Sequence, residues 1–199
     1  MNKRIIITGG LGYIGTELSK IYSGISWNNE ILVIDNRFVS ERVNQLRNWG
    51  IDFVHGDILD KELLNKHCKD ADVVHHLAGI TDVPRVKSES SENNDKKIKL
   101  TAEEGTQNLL DAISNKCKII FPSTHVVYEG IEKIQNNILE DEETKPILSY
   151  ASSKAFNEKQ LKNSGKNYII LRLGSVYGYS TDTARIDIMP NLFSKIASQ

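Results

Sequence analysis

Short apolar runs alternate with longer amphipathic segments along most of the chain. The runs are rich in Ile and Val and lack polar–apolar alternation, which predicts strands buried in a parallel sheet. They lie at 5–8, 31–34, 52–54, 73–77, 119–121 and 168–171. The segments with helical periodicity lie at 12–22, 40–48, 61–67, 98–114, 150–162 and 186–198. Alternating strands and helices predict an α/β fold built on a doubly wound parallel sheet.

Two polar stretches interrupt this alternation. Residues 87–99 are polar and mixed in charge, and they predict a surface loop that leads into the next helix. Residues 129–146 include four consecutive acids at 140–143 and predict an exposed loop. We interpret the acidic run as a solvated surface rather than as a site for a partner.

Bulk composition excludes several classes of function. The 199 residues suffice for one sizeable domain, and the formal net charge of −1 provides no strong field for nucleic acid or an anionic membrane. The two cysteines, Cys68 and Cys117, lack the spacing of a zinc site or a disulfide framework, and Cys117 is expected to be buried. The apolar stretch near the N-terminus stops at Gly9, which is too short for a signal peptide or membrane span. We therefore expect a cytoplasmic protein without a metal, nucleic-acid or membrane partner.

A glycine loop follows the first predicted strand. Gly9, Gly12 and Gly15 recur at three-residue spacing, and a predicted helix begins among them. This pattern serves a tight turn, close approach of the backbone to a pyrophosphate, and tight packing of helix on strand. The helix N-terminus adds N–H groups and partial positive charge for phosphates. The loop predicts dinucleotide binding, with a purely structural glycine turn as the alternative.

Acidic residues follow the second and third predicted strands. Asp35 can accept hydrogen bonds from both ribose hydroxyls and would repel a 2′-phosphate, which favours NAD over NADP. Arg37 lies nearby and could soften that exclusion. Asp57 is placed to meet an adenine amino group, although it could instead be a helix cap or turn residue.

A tyrosine and a lysine four residues apart predict a base. Tyr150 and Lys154 would share one face of a helix. A free phenol has a pKa of about 10, and an ammonium and a positive nicotinamide ring nearby would favour the phenolate. Lowering that pKa by about three units requires about 4 kcal/mol of differential interaction. Ser123 and Thr124 follow another predicted strand, at the sheet edge where ligands of open α/β folds bind.

The motifs together resemble those of the extended short-chain dehydrogenases/reductases, in particular the nucleotide-sugar epimerase/dehydratase group. The resemblance covers essentially the whole chain and rests on TGGLGYIG at 8–15, Asp35, GDILD at 56–60, HLAG at 76–79, FPSTHVVY at 121–128, YASSK at 150–154 and LRLGSVYG at 171–178. It implies a Rossmann fold, NAD as cofactor, and a nucleotide-sugar substrate.

The resemblance also implies roles for single residues. Ala78 and Gly79 would lie along the cofactor, Thr124 matches the active-site Ser/Thr position, Tyr150 would be the acid/base, and Lys154 would also bind the nicotinamide ribose. The candidate catalytic residues are Thr124, Tyr150 and Lys154. The candidate cofactor-binding residues are Gly9, Gly12, Tyr13, Ile14, Gly15, Asp35, Asn36, Asp57, Ile58, Leu77, Ala78, Gly79, Ser123, Tyr150 and Lys154.

Two departures from the group's pattern refine the prediction. Ala102 stands where an asparagine is frequent, three residues before Gly105, so one supporting contact is expected to be missing. His125 and Val126 stand where dehydratases carry an acidic pair, which removes the usual acid and base for water elimination. We expect His125 to pack locally or face substrate rather than replace them.

The resulting hypothesis is an NAD-dependent nucleotide-sugar epimerase, acting at C4 through a transient keto-sugar. The alternatives are a reductase, dehydrogenase or dehydratase on the same fold, and a non-catalytic NAD-binding scaffold or sensor. A homodimer through a four-helix bundle of 98–114 and 150–162 is implied by the resemblance. Members usually continue into a small substrate-binding lobe, so we expect an NAD-binding domain at 1–178 and the start of a truncated lobe at 179–199.

Overall fold

The computed structural model describes residues 2–25, 28–81, 91–180 and 188–199. Six parallel strands form one sheet in the order β3-β2-β1-β4-β5-β6, which is the doubly wound order of a Rossmann fold. The strands are β1 Arg4–Thr8, β2 Glu30–Asp35, β3 Asp52–His55, β4 Val73–His76, β5 Lys118–Thr124 and β6 Asn167–Leu173. The predicted fold class and all six strands are confirmed.

Helices connect the strands. Those in the described residues are α1 Tyr13–Gly24, α2 Ser40–Asn48, α3 Lys61–Cys68, α4 Glu92–Ala112, α5 Ser149–Asn163 and α6 Met189–Ala197, and a 3₁₀ turn spans His125–Tyr128. Each predicted helix overlaps one of them, and residues 186 and 187 lie outside the described part. No helix among the described residues has both the length and the apolar character needed to cross a bilayer.

Two hydrophobic clusters lie on opposite faces of the sheet. Ile6 of β1 belongs to the cluster that includes Leu109 of α4 and Leu161 of α5, whereas Ile7 belongs to the cluster that includes Leu46 of α2. Successive residues of a strand point to opposite faces, so a strand covered on both faces needs an unbroken apolar run. This explains why the central strands lack polar–apolar alternation.

The prediction of a loop over 87–99 is wrong for its second half, since α4 begins at Glu92. Residues 82–90 lie outside the described part. The Ser91 hydroxyl accepts a hydrogen bond from the Asn94 N–H, and Glu92 pairs with Lys96 one turn later. A cap and an ion pair let this polar segment continue the helix by nearly two turns before its first buried apolar residue, Ile98.

Strand β6 also differs from the prediction of a buried strand. It pairs only with β5 and forms an edge of the described sheet. Tyr168, Ile169 and Leu171 are 37%, 41% and 42% exposed. Its Ile and Leu content therefore indicates a strand but not a covered one.

Close packing fixes the turn between β1 and α1. Gly9 has φ +70°, and a Cβ there would stand 2.7 Å from the Ala78 backbone, so only glycine fits. A Cβ on Gly15 would stand 2.5 Å from the Cα of Gly10. The start of α1 can therefore lie directly on the end of β1 only when position 15 carries no side chain.

We expect Gly15→Ala to destabilise the protein by about 1–3 kcal/mol, because the added methyl forces α1 away from the turn. Urea unfolding measures this change. The matched control is Gly24→Ala at the other end of α1, where an added Cβ meets nothing within 4 Å. That control should be neutral or stabilise by up to about 1 kcal/mol. Equal effects of the two substitutions would contradict the packing explanation.

Candidate active site

A cleft of about 1010 Å³ opens along the carboxyl edge of the sheet. Residues at or just after the ends of all six strands contribute to its lining, which follows from the common direction of the strands. Every candidate site residue from the sequence lines this cleft: Gly9, Gly12, Tyr13, Ile14, Gly15, Asp35, Asn36, Asp57, Ile58, Leu77, Ala78, Gly79, Ser123, Thr124, Tyr150 and Lys154. The structure thus brings the predicted set together, and the role of each residue stays a prediction.

The glycine loop lies at the N-terminal end of α1. Gly12 is the N-cap residue, no side chain caps this end, and the first turn contains no acid. The loop is held through Leu11, whose N–H donates to Asp35 Oδ2 at 2.9 Å and whose carbonyl accepts from Arg42 Nη1 at 2.6 Å. The helix therefore presents uncapped N–H groups to the cleft from a fixed position, which suits an anion.

Asp35 has a structural role as well as a place in the cleft. The residue is 5% exposed, and its Oδ1 accepts a hydrogen bond from the Arg37 N–H at 2.9 Å. The Arg37 side chain is about half exposed, and its Nη2 lies 3.7 Å from where a Cβ of Gly12 would stand. The guanidinium that we expected to soften the exclusion of a 2′-phosphate therefore lies beside the glycine loop.

Asp57 lies in a turn and also at the wall of the cleft. Its Oδ1 accepts from the Leu59 N–H at 2.9 Å, as in a turn, and its Oδ2 accepts from Asn36 Nδ2 at 2.9 Å. The turn orients the carboxylate at the wall of the cleft, and Asn36 links it to the end of β2. Turn formation and contact with a ligand are therefore compatible at this position.

A buried polar network supports the loop from below. The ring of His76 is hydrogen-bonded to Thr8 Oγ1 at 2.9 Å and to Thr106 Oγ1 at 3.0 Å. Thr8 Oγ1 also accepts from the Ala78 N–H at 3.3 Å. Burial, with a smaller contribution from the charge of Lys154, lowers the pKa of His76 to about 3. The imidazole is therefore neutral at physiological pH and joins β1, β4 and α4.

Helix α5 carries the predicted base. Lys154 Nζ donates to the Pro122 carbonyl at 2.8 Å and lies 4.4 Å from the centre of the Phe121 ring. It lies 5.9 Å from the centre of the Tyr150 ring. Burial lowers the pKa of Lys154 to about 8, so the amine is still mostly protonated at neutral pH. The carbonyl and the two rings hold this charge at the inner end of the cleft.

The Ser-Thr pair belongs to β5 rather than to a following loop. Pro122 can lie within the strand because β4 pairs with β5 only as far as Ile120, so its missing N–H breaks no ladder bond with β4. Thr124 Oγ1 accepts from the Val126 N–H at 3.3 Å and caps the 3₁₀ turn. The Ser123 hydroxyl donates to Glu158 Oε1 at 2.6 Å, so that hydrogen is directed into the protein rather than the cleft.

Two further sequence expectations concern His125 and Ala102, the positions that depart from the group's pattern. His125 is exposed, and its Nδ1 is hydrogen-bonded at 3.1 Å to the Leu173 carbonyl at the end of β6. The expectation that it packs locally or faces substrate stays a prediction. Ala102 supplies only backbone here, because its carbonyl accepts from Asn157 Nδ2 at 3.0 Å. Close packing dominates nearby, where a Cβ on Gly105 would stand 2.3 Å from Ile58 Cδ1.

Sequence reasoning missed a buried ion pair behind the site. Glu158 and Arg172 form a two-pronged pair between α5 and β6, with N–O distances of 2.9 and 2.6 Å. Glu158 lies one turn after Lys154, and Arg172 lies inside the LRLGSVYG stretch. Glu158 could have been found from its spacing, because Tyr150, Lys154 and Glu158 recur every four residues and therefore share one face of a helix. Nothing local in the sequence indicated its partner.

The residues present fit a dinucleotide. The loop has room only for glycine where the chain is closest to Ala78, the helix N-terminus has no competing acid or side-chain cap, and a carboxylate lies at the end of β2. These are the three features that a βαβ dinucleotide site requires. No cluster of three or more His, Cys, Asp or Glu side chains that could hold a metal ion occurs in the described part of the chain.

Comparison with known proteins supports this interpretation. The family model described as "NAD dependent epimerase/dehydratase family" matches residues 5–199. UDP-glucose 4-epimerase of Mycoplasma genitalium is 32% identical over 188 residues, covering 88% of this chain and 53% of that protein. dTDP-D-glucose 4,6-dehydratase of Dictyostelium discoideum is 30% identical over 197 residues, covering 88% and 44%.

Solved structures similar to this chain include NAD complexes of epimerases. UDP-glucose 4-epimerase from Brucella ovis, crystallised with NAD, superposes with a TM-score of 0.71 at 29% identity, covering 89% of this chain and 54% of that one. The chain therefore spans about half the length of the relatives it matches.

Protonation of buried histidines should make stability depend on pH. Burial lowers the pKa of His75 to about 4 and that of His76 to about 3. The unfolded chain takes up these protons below about pH 6.5, so the free energy of unfolding should fall by about 1.4 kcal/mol per pH unit for each histidine between about pH 6.5 and 4. Urea unfolding at pH 6.5 and pH 5 measures the slope.

His76→Gln should reduce the slope of unfolding free energy against pH by about 1.4 kcal/mol per pH unit, the contribution of one histidine. Identical slopes in the protein and in His76→Gln would contradict the assignment of a neutral buried imidazole at position 76.

Proposed function

The chain belongs to the NAD-dependent epimerase/dehydratase family, and from this premise we propose that the protein is an NAD-dependent epimerase that inverts C4 of a nucleotide sugar. The observation that carries the proposal is the shared cleft. A glycine loop at the end of β1 and the Tyr150–Lys154 pair on α5 line one opening at the carboxyl edge of the sheet. Dinucleotide binding and proton transfer therefore take place side by side.

NAD would be held by residues from five strand ends and from α5. The backbone N–H groups at the start of α1 bind the pyrophosphate, and Asp35 accepts from the hydroxyls of the adenine ribose. Asp57 and Ile58 meet the adenine, while Ala78 and Gly79 pass alongside the cofactor. The remaining members of the proposed set are Tyr13, Ile14, Asn36, Leu77, Ser123, Tyr150 and Lys154. When bound, NAD supplies a hydride acceptor that later returns the hydride.

The chain's own residues handle the proton. Tyr150 takes the proton of the C4 hydroxyl as that carbon is oxidised to a ketone, and gives it back after the keto-sugar has presented its other face. Lys154, charged below about pH 8, favours the phenolate through its proximity to the ring. Thr124 Oγ1 accepts from the Val126 N–H, which leaves its own hydrogen to be donated to the reacting oxygen.

The charges in the cleft favour epimerisation over water elimination. The carboxylates among the described lining residues are Asp35, at the end of β2, and Asp57, just after β3. Next to Thr124 stand His125 and Val126, and His125 already contacts the Leu173 carbonyl. Elimination needs an acid and a base beside the sugar, and no carboxylate of the described lining occupies that place.

Assembly and location complete the proposal. We infer a homodimer through a four-helix bundle of α4 and α5, which pack against each other and leave Leu100 and Phe156 46% and 42% exposed. A cytoplasmic location fits the two buried, unpaired thiols of Cys68 and Cys117, which are typical of a reducing compartment.

Tyr150→Phe should lower turnover by about 10²–10⁴-fold, because it removes the proton acceptor while keeping the ring. NAD affinity, measured by calorimetry, should stay within about threefold. Tyr168→Phe on the exposed edge strand β6 is the matched control and should leave turnover unchanged. Full activity of Tyr150→Phe on a nucleotide sugar would remove Tyr150 from the mechanism.

Isotope tracking separates an epimerase from a dehydrogenase. With deuterium at C4 of the sugar, the proposed reaction returns the label to C4 of the product and accumulates no NADH over many turnovers. Mass spectrometry of the product and cofactor absorbance measure both quantities. NADH formed in proportion to product would assign the protein to the dehydrogenases instead.

A further inference from the structure

Glu158 is a buried anion one turn beyond Lys154 on α5. The residue is 2% exposed, and both of its carboxylate oxygens are engaged. Oε1 accepts from Ser123 Oγ at 2.6 Å and from Arg172 Nε at 2.9 Å, and Oε2 accepts from Arg172 Nη2 at 2.6 Å. The carboxylate therefore joins three elements: α5, the end of β5 and β6.

Arg172 extends the same network to the segment that leads into α5. It lies opposite Ser123 in the β5–β6 register. Its Nη1 donates to the Tyr128 hydroxyl and, at 2.9 Å, to the Glu140 carbonyl. The Tyr128 hydroxyl in turn donates to the Leu139 carbonyl at 3.0 Å. One guanidinium thus contacts α5, the 3₁₀ turn and the exposed segment at 129–148.

The pair is ionised. Burial would raise the pKa of Glu158, but hydrogen bonds from Arg172 and Ser123 and the nearby positive charges outweigh it and lower that pKa. The hydrogen bond with Glu158 raises the pKa of Arg172. A buried pair of this kind adds little stability over an apolar pair of equal volume, whereas its two-pronged geometry fixes orientation. We therefore attribute the role of the pair to the orientation of the elements it joins rather than to stability.

Two polar links attach α5 to the end of β5, at the two residues that directly precede the candidate catalytic Thr124. Lys154 Nζ binds the Pro122 carbonyl, and Glu158 binds the Ser123 hydroxyl. Thr124 follows directly on β5, and Tyr150 precedes Lys154 by one turn on α5. The position of Tyr150 on α5 relative to Thr124 on β5 therefore depends on these two links.

We propose that Glu158 and Arg172 are positioning residues, which hold the Thr124 end of β5 at a fixed register against the α5 face that carries Tyr150 and Lys154. The inference rests on the proposed epimerase function for its kinetic consequence. Misplacement of a reacting group by about 1 Å can cost about 10²-fold in rate. The pair contacts Ser123 of the proposed NAD-binding set but neither the glycine loop nor Asp35, so the Kd for NAD should change less than kcat does.

The test uses the full chain with Glu158→Gln, Arg172→Gln and the double variant. Each single substitution leaves one buried charge uncompensated and should lower both stability and kcat, the latter at least tenfold. The double variant removes both charges, so its Tm should recover towards that of the unmodified protein while kcat stays at least tenfold reduced. KM and the Kd for NAD should each stay within about threefold.

Two matched controls separate positioning from simple stability. Lys162, whose side chain is half exposed, forms an ion pair with Glu158 Oε2 at 3.9 Å but no hydrogen bond, and Lys162→Gln should lower Tm only slightly and leave kcat unchanged. Leu161→Val removes a methylene group from the core under the same helix and none of the pair's hydrogen bonds. It should lower Tm while leaving kcat within about twofold at temperatures below the unfolding transition. If kcat follows Tm through all variants, including its recovery in the double variant, the positioning role is overturned.

A measurement without substrate keeps this inference separate from the proposed function. In the double variant, amide hydrogen exchange at 123–128 and 149–154 should accelerate at least tenfold, while exchange at 5–16 stays unchanged. Unchanged exchange at 123–128 and 149–154 would overturn the positioning role even if the protein proved not to be an epimerase. Faster exchange with a protein inactive on all nucleotide sugars would instead contradict only the proposed function.

Discussion

Because all six strands run in the same direction, the residues that follow them are brought to one edge of the sheet. The candidate site depends on this constraint, since its contributors extend along the chain from Gly9 to Lys154 and meet only where the strands end. Close packing of Gly9 on Ala78 and of Gly15 on Gly10 then points α1 at the opening.

Buried polar groups around the cleft are satisfied in three different ways. The neutral ring of His76 bridges two threonines. The ammonium of Lys154 contacts a carbonyl and two aromatic rings, and the Glu158 carboxylate is paired with Arg172. An unpartnered polar group in this environment would be costly, so each arrangement restricts the movement of the elements it joins.

Local signals made much of the fold predictable. The runs at 5–8 and 31–34 and the glycine spacing at 9–15 are set by neighbouring residues, so a single sequence reveals them. The start of α4 was missed because a polar segment relies on the Ser91 cap and ion pairs rather than on apolar periodicity. Glu158 and Arg172 could not be paired because their contact depends on how α5 packs against β6, which no local pattern encodes.

The central claim is that the loop at 9–15 binds the diphosphate of NAD, and calorimetric titration of the full chain with NAD tests it most directly when Gly12→Asp is titrated beside it. Gly12 is the N-cap of α1 with an ordinary φ of −77°, and a Cβ there would stand 3.2 Å from the Gly9 carbonyl oxygen, so aspartate should keep the helix at some cost in stability while repelling a diphosphate. We expect one NAD per chain, with affinity lowered at least 100-fold in Gly12→Asp under conditions where urea unfolding shows that the variant is folded. No binding by the unmodified protein, or equal affinity in the two, would contradict the claim.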